Sequence, residues 1–312
     1  MTWSATGAAE RLDEFLEGAG GGTRLGELLE TIGLGLALPA IVVGVGLFVF
    51  LVGVHRGNRR ETRALLAVMG SLGLLTLVGG IVGLIGVSKV VGGGILATVV
   101  EGTARGAVAR VVAGMLVAVG FIGARPGDQP WVPRRRQIIG VVGIGLGALS
   151  LAVDGHTISE GNPVLHVTAN IIHVLAAGVW VGGVAALLYV VRARRRGGGD
   201  PVAPLVARFS SMATLALVAV AAAGLAMSLL IIDGVDDYWS TPWGRLLLVK
   251  VALVALAASL GAYNHFSVVP RLDTDPHDGA YVRRLRLTLA AEGLVLLAVA
   301  VTTVFLTEAS TN

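Results

Sequence analysis

Four residues between positions 166 and 180 carry the most suggestive chemistry in this chain: His166, Asn170, His173 and Trp180. On an α-helix, positions 166, 170, 173, 177 and 180 stack on one face, with Ala177 leaving space between the larger groups. His173 then lies about 10 Å beyond His166 along the helix axis. Neutral imidazole is a good ligand for copper, zinc, iron and nickel, and it places no charge in an apolar setting. Asp154-Gly155-His156 precedes the stripe, so His156 can fold back over it. His156, His166 and His173 are therefore the candidate metal ligands, with Asn170 and Trp180 as accessory positions. The alternative is that His166 and His173 are packing groups that hydrogen-bond across helices, because a spacing of seven is no tight ligand motif such as HExxH.

Other polar residues interrupt apolar runs. Lys250 falls about 9 Å inside one run by helical rise, where it can repel cations, pair with an acid, bind an anion or snorkel outward. Arg110 is similar but nearer a run's end, which favours snorkelling. Glu292, about two turns inside the last run, is a candidate cation partner or proton-relay group, or else pairs with a nearby arginine. Met227 offers a soft thioether that can join the histidines or simply pack. His55, His265 and His277 sit at run ends or in a loop, where solvated or interfacial roles are expected.

The elements that must position these groups follow from composition. Of 312 residues, 54% are hydrophobic and only 14% are charged, against roughly 25% in a soluble protein. Apolar runs of membrane-spanning length fall at about 31–54, 64–87, 107–124, 137–153, 164–191, 209–232, 244–265 and 286–307. The fifth is longer than a span requires and must tilt or extend beyond the hydrocarbon. The 45 glycines suit close helix packing. The expected fold is an all-α polytopic membrane helix bundle with about eight transmembrane helices. Alternate loops test this: Arg56–Arg63, Arg125–Arg136, Arg192–Arg208 and Arg271–Arg286 hold most of the 24 basic residues. The opposite loops carry Glu101, Asp154, Glu160, Asp233, Asp236 and Asp237. The positive-inside rule then puts both termini outside a cytoplasmic membrane.

Three regions are expected: an extracytoplasmic segment 1–30, a first four-helix half 31–153, and a second half 154–312. Leu12, Phe15, Leu16, Leu25, Leu28 and Leu29 give the first region an amphipathic helical pattern. Thr103-Ala-Arg-Gly106 and Thr241-Pro-Trp-Gly244 enter corresponding spans from the same side, as a parallel four-plus-four repeat or coincidence would produce.

The same composition excludes several classes. With no cysteine there are no disulfides, thiolate sites or cysteine nucleophiles. The basic pI near 9.9 reflects topology, so no nucleic-acid partner is expected. No P-loop, strand-linked dinucleotide fingerprint or Ser/His/Asp set is present, and the chain is not read as an enzyme.

Gly155-His156, followed by His173-Val-Leu-Ala-Ala-Gly-Val-Trp180-Val-Gly182-Gly183, resembles the signature of the CopD (copper resistance protein D) membrane domain. The likeness continues in order through Arg208-Phe209-Ser210, then Thr241-Pro-Trp-Gly244-Arg-Leu-Leu-Leu-Val-Lys250, then Asn264 and Pro270-Arg271-Leu272. It covers roughly residues 150–307. It implies a cytoplasmic-membrane protein that handles copper ion, Cu(I) or Cu(II), and is taken to move it inward. It also implies His156 and His173 as ligands, and an extracytoplasmic copper-binding protein as a partner. Two other readings stay open: a b-type haem electron carrier, which needs two histidines facing each other at one depth, and an assembly factor that delivers copper without transporting it.

Overall fold

The computed structural model describes residues 21–308 apart from short stretches at 57–58, 93, 125–133, 153–162, 198–200, 232–233 and 277. The described residues are mostly helical, with short turns between the helices and no strand among them. The helices are α1 (Gly21–Val49), α2 (Arg59–Val91), α3 (Ile95–Val100), α4 (Arg105–Phe121), α5 (Arg134–Ala152), α6 (Pro163–Gly197), α7 (Ala203–Ile231), α8 (Asp237–Ser240), α9 (Pro242–Tyr263), α10 (Val269–Thr274) and α11 (Gly279–Glu308). Phe50–Val54 and Asn264–Val268 are π-helical turns that continue α1 and α9.

The eight expected spans correspond to α1, α2, α4, α5, α6, α7, α9 and α11. Among the described residues, six helical stretches are long and apolar enough to cross a membrane: Thr23–Val54, Arg59–Val91, Val164–Arg196, Ala203–Ile231, Pro242–Thr274 and Gly279–Thr303. The two that fall outside this set are α4, with 17 residues, and α5, with 19 residues opening on Arg134, Arg135 and Arg136. At 1.5 Å per residue they reach about 26 Å and about 28 Å, slightly under the hydrocarbon thickness. At the other extreme, the 35 residues of α6 span about 52 Å. The amphipathic segment expected before the first span is no separate element where it is described. From Gly21 the chain runs unbroken into α1, because nothing between Gly21 and Pro39 interrupts helical hydrogen bonding. The pattern at Leu12, Phe15 and Leu16 lies outside the described residues.

Successive helices of the first half pack as a continuous series: α1 on α2, α2 on α4, and α4 on α5. In the second half α6 packs on α7, α9 packs on α11, and α11 returns to α6, whereas α7 and α9 form no seam. The two halves meet where α1 lies against α6. Glycine makes that approach possible. A Cβ at Gly46 would meet the Gly178 carbonyl oxygen and the Gly182 Cα, the latter at 2.7 Å. Gly178 and Gly182 are four residues apart on α6, the small-xxx-small spacing that lets membrane helices touch backbone to backbone. One apolar core, including Phe50, Leu65, Met69, Phe121, Leu187, Leu205, Leu272 and Leu289, crosses both halves.

The Thr-x-x-Gly echo does not carry over to equivalent caps. Thr241 caps α9, its Oγ1 accepting from the Gly244 N–H at 3.0 Å. Thr103 instead donates to the Thr98 carbonyl at 3.1 Å, and α4 opens at Ala104 with no side-chain cap.

Candidate functional site

The predicted stripe on α6 is present, and it turns inward. His166 is 5% exposed and Trp180 is 4% exposed, with Asn170, His173 and Ala177 half-buried between them. Each group meets a different neighbour. Asn170 Nδ2 donates to the Leu151 carbonyl of α5 at 3.4 Å. His173 Nδ1 lies 3.2 Å from the Val220 carbonyl oxygen of α7. That oxygen can only accept, so Nδ1 carries the proton and Nε2 keeps its lone pair. Metal-ligating histidines are commonly oriented by just such a bond from the other ring nitrogen to a backbone carbonyl. Gly224 widens the space here, since a Cβ on it would sit 3.5 Å from the His173 ring. Met227, half-buried, follows three residues later on the same face of α7.

Lys250 of α9 is half-buried and within electrostatic range of His173. His166 Nδ1 has no hydrogen-bond partner among the described residues. His156, the remaining predicted ligand, lies outside the described residues, as does Asp154. Among the described residues no group of three or more His, Asp or Glu side chains is gathered as a metal cage. His166 and His173 stand on one helix, about 10 Å apart by its rise, and so do not face each other as paired haem ligands must.

Below His173 the stripe connects to the last helix. Trp180 Nε1 donates to Glu292 Oε1 at 2.8 Å, and Glu292 is 3% exposed. The arginine partner expected for Glu292 is replaced by an indole N–H, because the α6–α11 contact brings Trp180 opposite it. Gly261 of α9 makes room for the carboxyl, which a Cβ there would approach to 3.4 Å. One turn further, Thr288 Oγ1 donates to Asn264 Oδ1, leaving the Asn264 Nδ2 buried without a partner among the described residues. Ser210 and His265 Nδ1 pair at 2.9 Å, joining α7 to the π turn after α9. Polar groups thus follow α6, α9 and α11 from His173 toward the arginine-rich end.

At that end a second buried cluster departs from the expectation of solvated groups. His55 is 7% exposed; its Nε2 lies 3.3 Å from Thr62 Oγ1 and 3.9 Å from Glu61 Oε2. Burial pushes the imidazole below its ordinary pKa, against the opposing pull of Glu61. Arg194 donates to both Glu61 oxygens, at 3.0 and 3.2 Å, and to the Pro201 carbonyl at 3.0 Å. Arg208 Nε donates to the Val54 carbonyl of the first π turn at 3.0 Å. Arg110 likewise does not snorkel but is 5% exposed within the first half. The charge count along α6 signals none of this, because inward and outward arginines there look alike in sequence.

Residues 203–306 match the family model for copper resistance protein D. The matched stretch covers α7 to α11, with Lys250, Asn264 and Glu292, and begins after the histidine stripe of α6. Among curated proteins, the inner membrane protein YebZ of Escherichia coli is 29% identical over 158 residues, 49% of this chain and 54% of that one. The copper transport protein CutJ of Bacillus subtilis is 32% identical over 119 residues, 38% of this chain and 22% of CutJ. Copper resistance protein D of Pseudomonas syringae pv. tomato is 29% identical over 148 residues, 46% of this chain and 48% of that one. The chain therefore spans about half the length of two of these relatives and about a fifth of the third. No solved structure matches. Over residues 203–306, on a bundle of apolar helices, the chain is similar to the CopD family of membrane proteins.

Proposed function

We propose that the chain carries copper ions across the cytoplasmic membrane, inward from the face bearing the acidic loops, with both termini on that outer face. His156, His166 and His173 receive the ion in this reading. The observation that carries it is His173, whose Nδ1–H is committed to the Val220 carbonyl and whose Nε2 lone pair is left for a ligand bond. The names of the CutJ and copper resistance D relatives support copper as the cargo. Lys250 opposes any cation held at His173, which keeps the site shallow. A transit site must bind well enough to fill and weakly enough to empty. Inward movement of a cation gains about 2.3 kcal/mol per charge for each 100 mV of inside-negative potential. An extracytoplasmic copper-binding protein is the natural donor in this scheme.

The test begins with copper bound by the detergent-purified chain, wild type beside His156→Ala, His166→Ala and His173→Ala, followed by copper flux into proteoliposomes. Near-stoichiometric copper and flux, both lost in His173→Ala with helicity retained, support the proposal. Copper binding without flux replaces transport by delivery to another protein. Equal behaviour of wild type and all three variants makes the histidines packing groups and removes the site.

A further inference from the structure

Three of the four arginines between 192 and 196 share one helical face. Arg192, Arg195 and Arg196 stand at spacings of three and four, while Arg194 turns the other way into its bond with Glu61. Across the seam from those three, Arg286 projects from α11. The four guanidinium groups line a single groove of about 580 Å³ together with Leu287 and Ala290. Arg192, Arg195 and Arg196 are exposed and Arg286 is half-buried. Among the described residues no carboxylate lines the groove. The positive-inside rule requires only that basic residues lie on one side. It does not require arginines from two helices, ninety residues apart in sequence, to converge on one cleft.

From this geometry we infer that the α6–α11 groove at the basic end binds the headgroup of an anionic phospholipid. Guanidinium presents planar, forked donors that match phosphate oxygens in pairs, and basic clefts between membrane helices are suited to acidic headgroups. The apolar part of the lining decides between a lipid and a free anion. Leu287, 57% exposed, and Ala290 continue the groove along α11 toward the membrane interior, where acyl chains would lie. A free phosphate gains nothing from that surface. The inference is independent of copper, since it uses none of the histidines.

The experiment is lipid retention by the full chain, purified in mild detergent with phosphatidylglycerol or phosphatidylcholine and read by native mass spectrometry. Each arginine near an acidic headgroup is worth about fivefold in binding. Arg195→Gln with Arg286→Gln should therefore lower phosphatidylglycerol retention about 25-fold, to the level of phosphatidylcholine, and Arg192→Gln alone should give a smaller loss. Arg63→Gln, the same single charge change as Arg192→Gln but on α2 outside the groove, should leave retention unchanged. Equal retention of the two lipids by the wild type overturns the inference, as does an equal loss in Arg63→Gln. Displacement of phosphatidylglycerol by millimolar inorganic phosphate assigns the groove to a free anion and equally overturns the lipid site.

Discussion

Replacing Trp180 by phenylalanine isolates the contact that ties α6 to α11. The indole N–H is the hydrogen-bond donor to Glu292 Oε1, at 2.8 Å, and both side chains are under 5% exposed. Phenylalanine keeps an aromatic ring in the core but leaves that oxygen without its donor. An orphaned buried acceptor costs about 1–3 kcal/mol, and the lost ring volume adds roughly 1 kcal/mol. Glu292→Met removes the acceptor at similar volume and leaves only the indole N–H unpaired. In the double variant neither polar group remains, so the loss should be smaller than the sum of the single losses by about 1–2 kcal/mol. Unfolding in mixed micelles of increasing denaturing detergent, followed by far-ultraviolet circular dichroism, gives the four free energies. Additivity within about 0.5 kcal/mol would refute the argument, because the two groups would then not be interacting.

Two further substitutions probe the frame around the site. Gly46→Ala forces α1 and α6 apart by about 1 Å, since a Cβ would stand 2.7 Å from the Gly182 Cα where about 3.7 Å is normal. It should cost about 1–3 kcal/mol in the same unfolding assay, whereas Gly44→Ala, where a Cβ meets nothing within 4 Å, should be close to neutral. Arg194→Met leaves Glu61 buried without its bidentate partner and should cost about 3–5 kcal/mol. Adding Glu61→Leu should recover most of that loss, and no recovery would show that the arginine acts by packing alone.

Apolar run length made the helical architecture legible, because crossing hydrocarbon imposes a length that few other structures share. The helices enclose the apolar runs but overrun them: α1 begins at Gly21 where the run begins near 31, and α11 begins at Gly279 where the run begins near 286. The inward stripe of His166, His173 and Trp180 was legible from spacing, since helical geometry relates those positions whatever surrounds them. The pairing of Trp180 with Glu292 was not. It joins residues 112 apart, and which helices become neighbours depends on packing that a single chain's pattern does not encode. The burial of His55 was missed for a related reason: residues at the end of a span read as solvated until a third helix covers them. The π turns at Phe50–Val54 and Asn264–Val268 are also silent in sequence, each being a one-residue widening within an otherwise regular apolar run.

The length of α6 places one rigid element in two dielectric settings at once. Its middle, around Trp180, is sealed from water, while its last turns carry Arg192, Arg195 and Arg196 into solvent. Dissolved ions screen charges only where they can reach, over about 8–10 Å at physiological ionic strength. Raising salt therefore weakens the arginine cleft and leaves Lys250's repulsion of any cation held at His173 nearly untouched. The helix has a salt-responsive foot and a salt-blind waist, and the two are joined by a few turns of hydrogen-bonded backbone.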